Sequence, residues 1–138
     1  MIAVFDIDGV LADPGHRQHH VSSRPKDWDA FFAGVGEDAL LEAGRARLRE
    51  LATEHEVVLL SGRPERTRAD TEAWLARHGI EVSRLVLRRD SDYRPAAQVK
   101  AELIAGIGAP DEIAVVVDDD ETVTARLVAS GYTTELFR

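Results

Sequence analysis

Two aspartates spaced i, i+2 stand near the start of the chain, in Phe5-Asp6-Ile7-Asp8-Gly9-Val10, and an acidic run, Asp118-Asp119-Asp120-Glu121, stands near its end. Residues i and i+2 of an extended strand point the same way, so Asp6 and Asp8 can address one small volume. Two carboxylates held together repel unless a positive charge joins them, and a hard cation bound by oxygen meets that need. Gly9 permits a backbone bend that a side chain would obstruct. A third polar cluster, Ser61-Gly62-Arg63, follows the apolar run Val57-Val58-Leu59-Leu60.

Each cluster must be carried by an element that delivers it to a common edge. Ile2 to Phe5 is a run of apolar residues without alternation, which predicts a strand buried on both faces of a parallel sheet. Glu56–Leu60, Leu85–Leu87, Ile113–Val117 and Thr133–Phe137 read as four further strands. Helical periodicity separates them: one helix ends near His55, and another spans 66 to 78 with Ala69, Ala73, Trp74 and Leu75 inward. Two more cover 96 to 107, carrying Lys100, and 122 to 130. Strands alternating with helices imply right-handed crossovers and a sheet with helices on both faces. In such sheets ligands sit at the carboxyl ends of the strands, where Asp6/Asp8, Ser61/Gly62/Arg63 and Asp118/Asp119 all fall.

Residues 13 to 39 interrupt this rhythm. Asp27 is placed to cap a short helix that puts Trp28, Phe31 and Phe32 on one face, expected to pack against the body. Directly after the first strand, the segment should overhang the site as a small lid. His16, His19 and His20 lack the spacing and the partnering acid of a zinc site, and are expected to be solvated.

The composition excludes several classes. At 138 residues the chain reads as a single domain, 1–138, with a proper core. There is no cysteine, hence no disulfide framework or thiolate metal site. No apolar run approaches a membrane span and none forms a leader after a basic start, so a cytoplasmic protein without membrane contact is expected. A net charge of −8 argues against wrapping nucleic acid broadly, because such binding rests on neutralising phosphates.

With three strands ending in polar clusters, the chain resembles the haloacid dehalogenase-like (HAD) phosphatases. Asp6-Ile7-Asp8-Gly9-Val10 is similar to their first motif, Ser61-Gly62-Arg63 to the second, Lys100 to the third and Asp118-Asp119 to the fourth. Asp27-Trp28, Trp74-Leu75, the stretch from Leu87 to Arg94 and Val99-Lys100 resemble more narrowly the phosphatase domain of polynucleotide kinase 3′-phosphatases. Asp120 departs from that subgroup, which commonly has an arginine after the acidic pair.

The resemblance implies a three-layer, Rossmann-like fold with strand order 3-2-1-4-5 and a minimal cap. It implies a Mg²⁺-dependent phosphomonoesterase in which Asp6 is the nucleophile and Asp8 the acid and base, the latter needing a carboxyl that holds a proton near neutral pH. The metal would take Asp6, the carbonyl of Asp8, and Asp118 or Asp119. Ser61 and Gly62 would bind phosphoryl oxygens, and Lys100 would stabilise charge. Arg63 is a candidate to grip phosphate, and Arg89 and Arg94 to bind a phosphorylated substrate such as a nucleic-acid 3′ end or a nucleotide. Trp28 or Phe31 could stack on a base. No obligate protein partner is evident. The alternatives are a phosphatase of small nucleotides or sugars, or a non-catalytic phosphate-binding module.

Overall fold

The computed structural model describes all residues, 1–138. Strand β1 (Ile2–Phe5) is followed by a short ribbon strand β2 (Ala12–Asp13), helix α1 (Trp28–Ala33) and a second ribbon strand β3 (Ala39–Leu40). Then come α2 (Glu42–Ala52), β4 (Glu56–Pro64), α3 (Arg68–Arg77), β5 (Arg84–Arg88), α4 (Ala96–Ala105), β6 (Ile113–Asp118), α5 (Glu121–Ala129) and β7 (Thr134–Leu136). The main sheet has the order β5-β4-β1-β6-β7, and every pairing in it is parallel. Counting only these five strands, that is the expected 3-2-1-4-5. No helix is long and apolar enough to cross a membrane.

β1 sits at the centre because its side chains are apolar on both sides. Ala3 and Phe5 join Ile7, Leu48, Trp74 and Leu75 in one core, while Val4 joins Ile104, Val116, Val123 and Leu127 in the other. All of Ala3, Val4 and Phe5 are fully buried. Gly44 lets α2 lie against the turn after β1, since a Cβ there would overlap the Val10 carbonyl.

Two sequence expectations change. β4 runs on through Ser61, Gly62 and Arg63 to Pro64, so those residues are strand rather than the turn after it. On α3 the buried face carries Thr71, Trp74 and Leu75, whereas Ala69 and Ala73 are exposed. The helix is turned this way because the Thr71 hydroxyl accepts a hydrogen bond from the buried Arg63 guanidinium, at 3.0 Å.

β2 and β3 pair antiparallel and close the segment 13–39 into a loop over the carboxyl edge of the sheet. Asp27 caps α1 as expected, its carboxylate accepting the Ala30 amide at 3.0 Å. The three aromatics of α1 do not share one fate. Phe31 is buried against the body, but Trp28 is 47% exposed and stacks with Phe32 on the open side.

Candidate active site at the carboxyl edge

β1 and β6 end side by side and deliver Asp6, Asp118 and Asp119 together: one carboxylate oxygen from each lies within 4.8 Å of the other two. Lys100, buried on α4, reaches across with Nζ 3.0 Å from Asp6 Oδ1 and 2.6 Å from Asp118 Oδ2. Burial works against the lysine charge, but the two carboxylates outweigh it and hold Lys100 protonated above its usual range. Three carboxylates facing one cation leave an excess of negative charge. Burial pushes Asp6 well above the ordinary carboxylate value, Lys100 pulls it back, and Asp118 and Asp8 push it up again. Asp119 is raised as well, by burial and then by Asp118. Such a donor set, all oxygen and under-compensated, fits a hard divalent cation.

Gly9 is required here. Its φ of +85° is a left-handed conformation, and a Cβ would overlap the Asp119 carboxylate. Asp120 is the N-cap of α5: its carboxylate accepts the Thr122 and Val123 amides at 2.8 and 3.3 Å, which accounts for an acid at that position.

Asp8 stands apart from the three-carboxylate group. Arg17 Nη2 donates to its Oδ1 at 2.7 Å, and Arg63 donates to both oxygens through Nη2 at 2.9 Å and Nε at 3.1 Å. Burial would raise the Asp8 pKa, but Arg63 and then Arg17 outweigh it and hold the group below its ordinary value. A proton held near neutral pH is therefore not the resting state of Asp8; two guanidinium groups keep it an anion.

Behind this pair lies Asp38, whose side chain is fully buried. It accepts from Arg17 Nε and Nη2, both at 2.8 Å, and from Arg63 Nη2 at 3.0 Å. His16 Nε2 lies 2.7 Å from it, so His16 belongs to this network and is not merely a solvated loop residue. The Asp38 carbonyl accepts the Trp74 indole at 2.7 Å, and the Arg17 guanidinium packs over Phe31 at 4.4 Å. The sequence reading missed Arg17 and Asp38. Both lie in the aperiodic segment, Arg17 between His16 and Gln18 and Asp38 after Glu37, where a charged residue carries no local signal of burial.

The remaining candidates divide. Ser61 is fully buried, its Oγ accepting the Arg63 amide at 3.1 Å, which leaves its hydroxyl hydrogen available. Arg63 is 1% exposed and bonded through all three nitrogens, so its guanidinium is committed to Asp8, Asp38 and Thr71. Arg88 stands at the end of β5 beside Gly62. Its Nε donates to the Gly62 carbonyl at 2.6 Å and its Nη1 to the carbonyls of Asp92 and Arg94. Arg94 is tied to Asp92 and Glu102, while Arg89 is exposed and outside the cleft that Gly62, Arg88 and Arg94 line. That cleft has a volume of about 410 Å³. A larger hollow of about 800 Å³, between α3 and β5, holds none of the candidate residues.

The model of the polynucleotide kinase PNKP phosphatase domain matches residues 1–134. No curated protein matches the chain. A structure of a Pnkp1/Rnl/Hen1 complex contains a chain that is 24% identical with a TM-score of 0.82, over 99% of this chain and 45% of that one. A structure of the Pnkp1/Rnl/Hen1 RNA repair complex gives 24% identity and a TM-score of 0.80, over 99% and 42%. A HAD family enzyme from Bacteroides thetaiotaomicron, in complex with magnesium and inorganic phosphate, gives 13% and 0.59 over 97% and 92%. The chain thus spans less than half the length of the first two, and the likenesses carry the α/β fold expected from the sequence.

Proposed function

Because the chain belongs to the family of polynucleotide kinase PNKP phosphatase domains, we propose that it is a Mg²⁺-dependent phosphomonoesterase acting through an aspartyl-phosphate on Asp6, with 3′-phosphorylated polynucleotide ends as substrate. One observation carries this reading: Lys100 bridges Asp6 and Asp118 at the edge where Asp119 also converges. The RNA repair complex that contains a similar chain supports a polynucleotide end over a sugar phosphate.

Asp6, Asp118 and Asp119 would hold the metal with the Asp8 carbonyl. Bound there, Mg²⁺ would offset the repulsion between carboxylate and phosphate and absorb charge developing at phosphorus. Asp6 then attacks phosphorus, the ester P–O bond breaks, and the leaving oxygen takes a proton from Asp8. Water next attacks the acyl-phosphate, gives its proton to Asp8, and inorganic phosphate leaves with Asp6 regenerated. The clamped, anionic Asp8 suits the base half of this cycle. The acid half requires its carboxyl to come off Arg17 and Arg63 and take up a proton. The Ser61 hydroxyl and the Gly62 amide would bind non-bridging oxygens, and Lys100 keeps a positive charge beside Asp6 throughout.

The test is phosphate release from a 3′-phosphorylated oligonucleotide, its 5′-phosphorylated twin and a sugar phosphate, with Mg²⁺ and with chelator. Faster release from the 3′ end, lost with chelator and in Asp6→Asn, is expected. An Asp6→Asn rate within about tenfold of wild type would refute the nucleophile, because an amide is a poor one. Equal rates on all three esters would leave a general phosphatase, and none on any would leave a phosphate-binding module.

A further inference from the structure

The cleft beside Gly62 has a chemistry of its own. Its 410 Å³ suits one small organic group. Trp28 and Phe32 line it, one helical turn apart on α1, with ring centroids 5.8 Å apart and planes 23° from parallel. Tyr93, 87% exposed, lines the same cleft. Trp28 and Tyr93 are the only aromatic side chains among the exposed large hydrophobic residues of the protein, and both face this cleft. A core-filling role does not account for them, since Phe31 already supplies that contact from the same helix.

The polar lining is cationic where it is not already neutralised. Arg66 lies over the Phe32 ring at 5.3 Å and is paired with Asp29 and Asp90 at 3.4 and 3.8 Å, and Arg94 and Asp92 hold one another, which leaves Arg88. Arg88 uses Nε and Nη1 on backbone carbonyls, but its Nη2 has no hydrogen-bond partner and points past Gly62, 3.1 Å from where a Cβ would stand. The cleft joins the site at two places: Gly62 borders both, and Ala96 lies one turn before Lys100 on α4. A phosphoester bound at Asp6 would therefore direct its leaving group into the cleft.

We infer that this cleft is a nucleobase subsite, in which the base of the leaving nucleoside stacks on the Trp28–Phe32 face while Arg88 Nη2 faces its phosphate. Stacking accepts any base because every base has a π-face, so the subsite selects nucleosides over sugars or glycerol without reading sequence. This rests on the phosphatase reading and names the part of the substrate that the catalytic residues do not touch.

Intrinsic fluorescence and steady-state kinetics test it together. Adenosine 3′-monophosphate and glycerol 2-phosphate are titrated into wild type, Trp28→Ala and Trp28→Leu, the last keeping apolar bulk without a ring. The nucleotide is expected to quench Trp28 and to bind wild type at least about tenfold more tightly than the glycerol ester, with that preference lost in both variants. Competition of the nucleotide against the glycerol ester gives the affinity of the variants, which lack the reporting ring. Equal affinity for the two esters in wild type, or an undiminished preference in Trp28→Leu, would overturn the subsite. Nucleotide binding without hydrolysis of any ester would refute the phosphatase reading and leave the subsite standing. Hydrolysis that ignores the ring would do the reverse.

Discussion

Replacing Asp38 by alanine tests the buried network most directly. Arg17 and Arg63 are each 1% exposed, and together with Asp8 and Asp38 they form two positive and two negative charges in contact. Removing Asp38 takes three guanidinium hydrogen bonds away and leaves two buried cations facing one carboxylate. Removing one partner of a buried pair costs about 3–5 kcal/mol, because the other charge stays desolvated without compensation. With an unfolding entropy of about 2.1 cal/mol/K per residue, that is a fall in Tm of about 10–17 °C for a chain of this length. Asp38→Asn keeps the shape but also removes the charge and turns an amide N–H towards a guanidinium, so it should fall by a comparable amount. Thermal unfolding followed by circular dichroism, with urea titration as a check, gives both numbers. An Asp38→Ala protein that melts within about 3 °C of wild type would behave like the loss of an exposed pair, and would refute the view that these charges depend on one another.

Three further outcomes are expected. Mg²⁺ at about 100 times its dissociation constant should stabilise the protein by about 2.7 kcal/mol; no change in melting temperature between chelator and Mg²⁺ would sink the shared metal site. Asp119→Asn should melt no lower than wild type in chelator, since burial and Asp118 already disfavour that charge, and should gain less from Mg²⁺. Asp92, bonded to Arg94, has its pKa lowered from 3.8 to about 2, so the contribution of this contact is fully present above 3.8 and is lost as the pH falls towards 2. The Asp92 carboxyl signal in NMR should therefore titrate near 2 in wild type and higher in Arg94→Ala, short of 3.8 because the residue-94 amide and Arg88 remain, and an unmoved midpoint would show that the Arg94 side chain is not the cause.

The main sheet was legible because β1 is apolar on both faces, a pattern that only a central strand explains. The acids were legible because they break such runs abruptly, whereas Lys100 was reached only through the family resemblance, since a lysine on a helix carries little local signal. Arg17 and Asp38 were not legible, since a buried ion pair between distant segments leaves no periodicity in either. Arg63 shows the same limit from another side. Its place after Ser61 and Gly62 was plain, but that its guanidinium turns inward depends on Asp38 and Thr71, which lie far from it in sequence. The inward face of α3 was misjudged for that reason: alanine is the more apolar residue, yet Thr71 supplies the acceptor that Arg63 needs. The aromatic cluster on α1 was found but not divided, because helical spacing cannot tell which ring meets the core and which lines a cleft.

The central place of β1 also sets the order in which the molecule can form. Ile2 aligns with Glu56 on one side and with Ile113 on the other, so the first strand made waits longest for its second neighbour. Such distant pairings close large loops before any contact rewards them, which slows folding relative to helical proteins of this size. During synthesis β1 and β4 can pair early, but the β6 side of β1 remains an open apolar edge, the kind of surface that draws other chains. Asp6 leaves the ribosome well before Asp118. A nascent chain that stops short of β6 thus carries Asp6 without Asp118, and the lysine-bridged acidic cluster forms only when β6 joins the sheet.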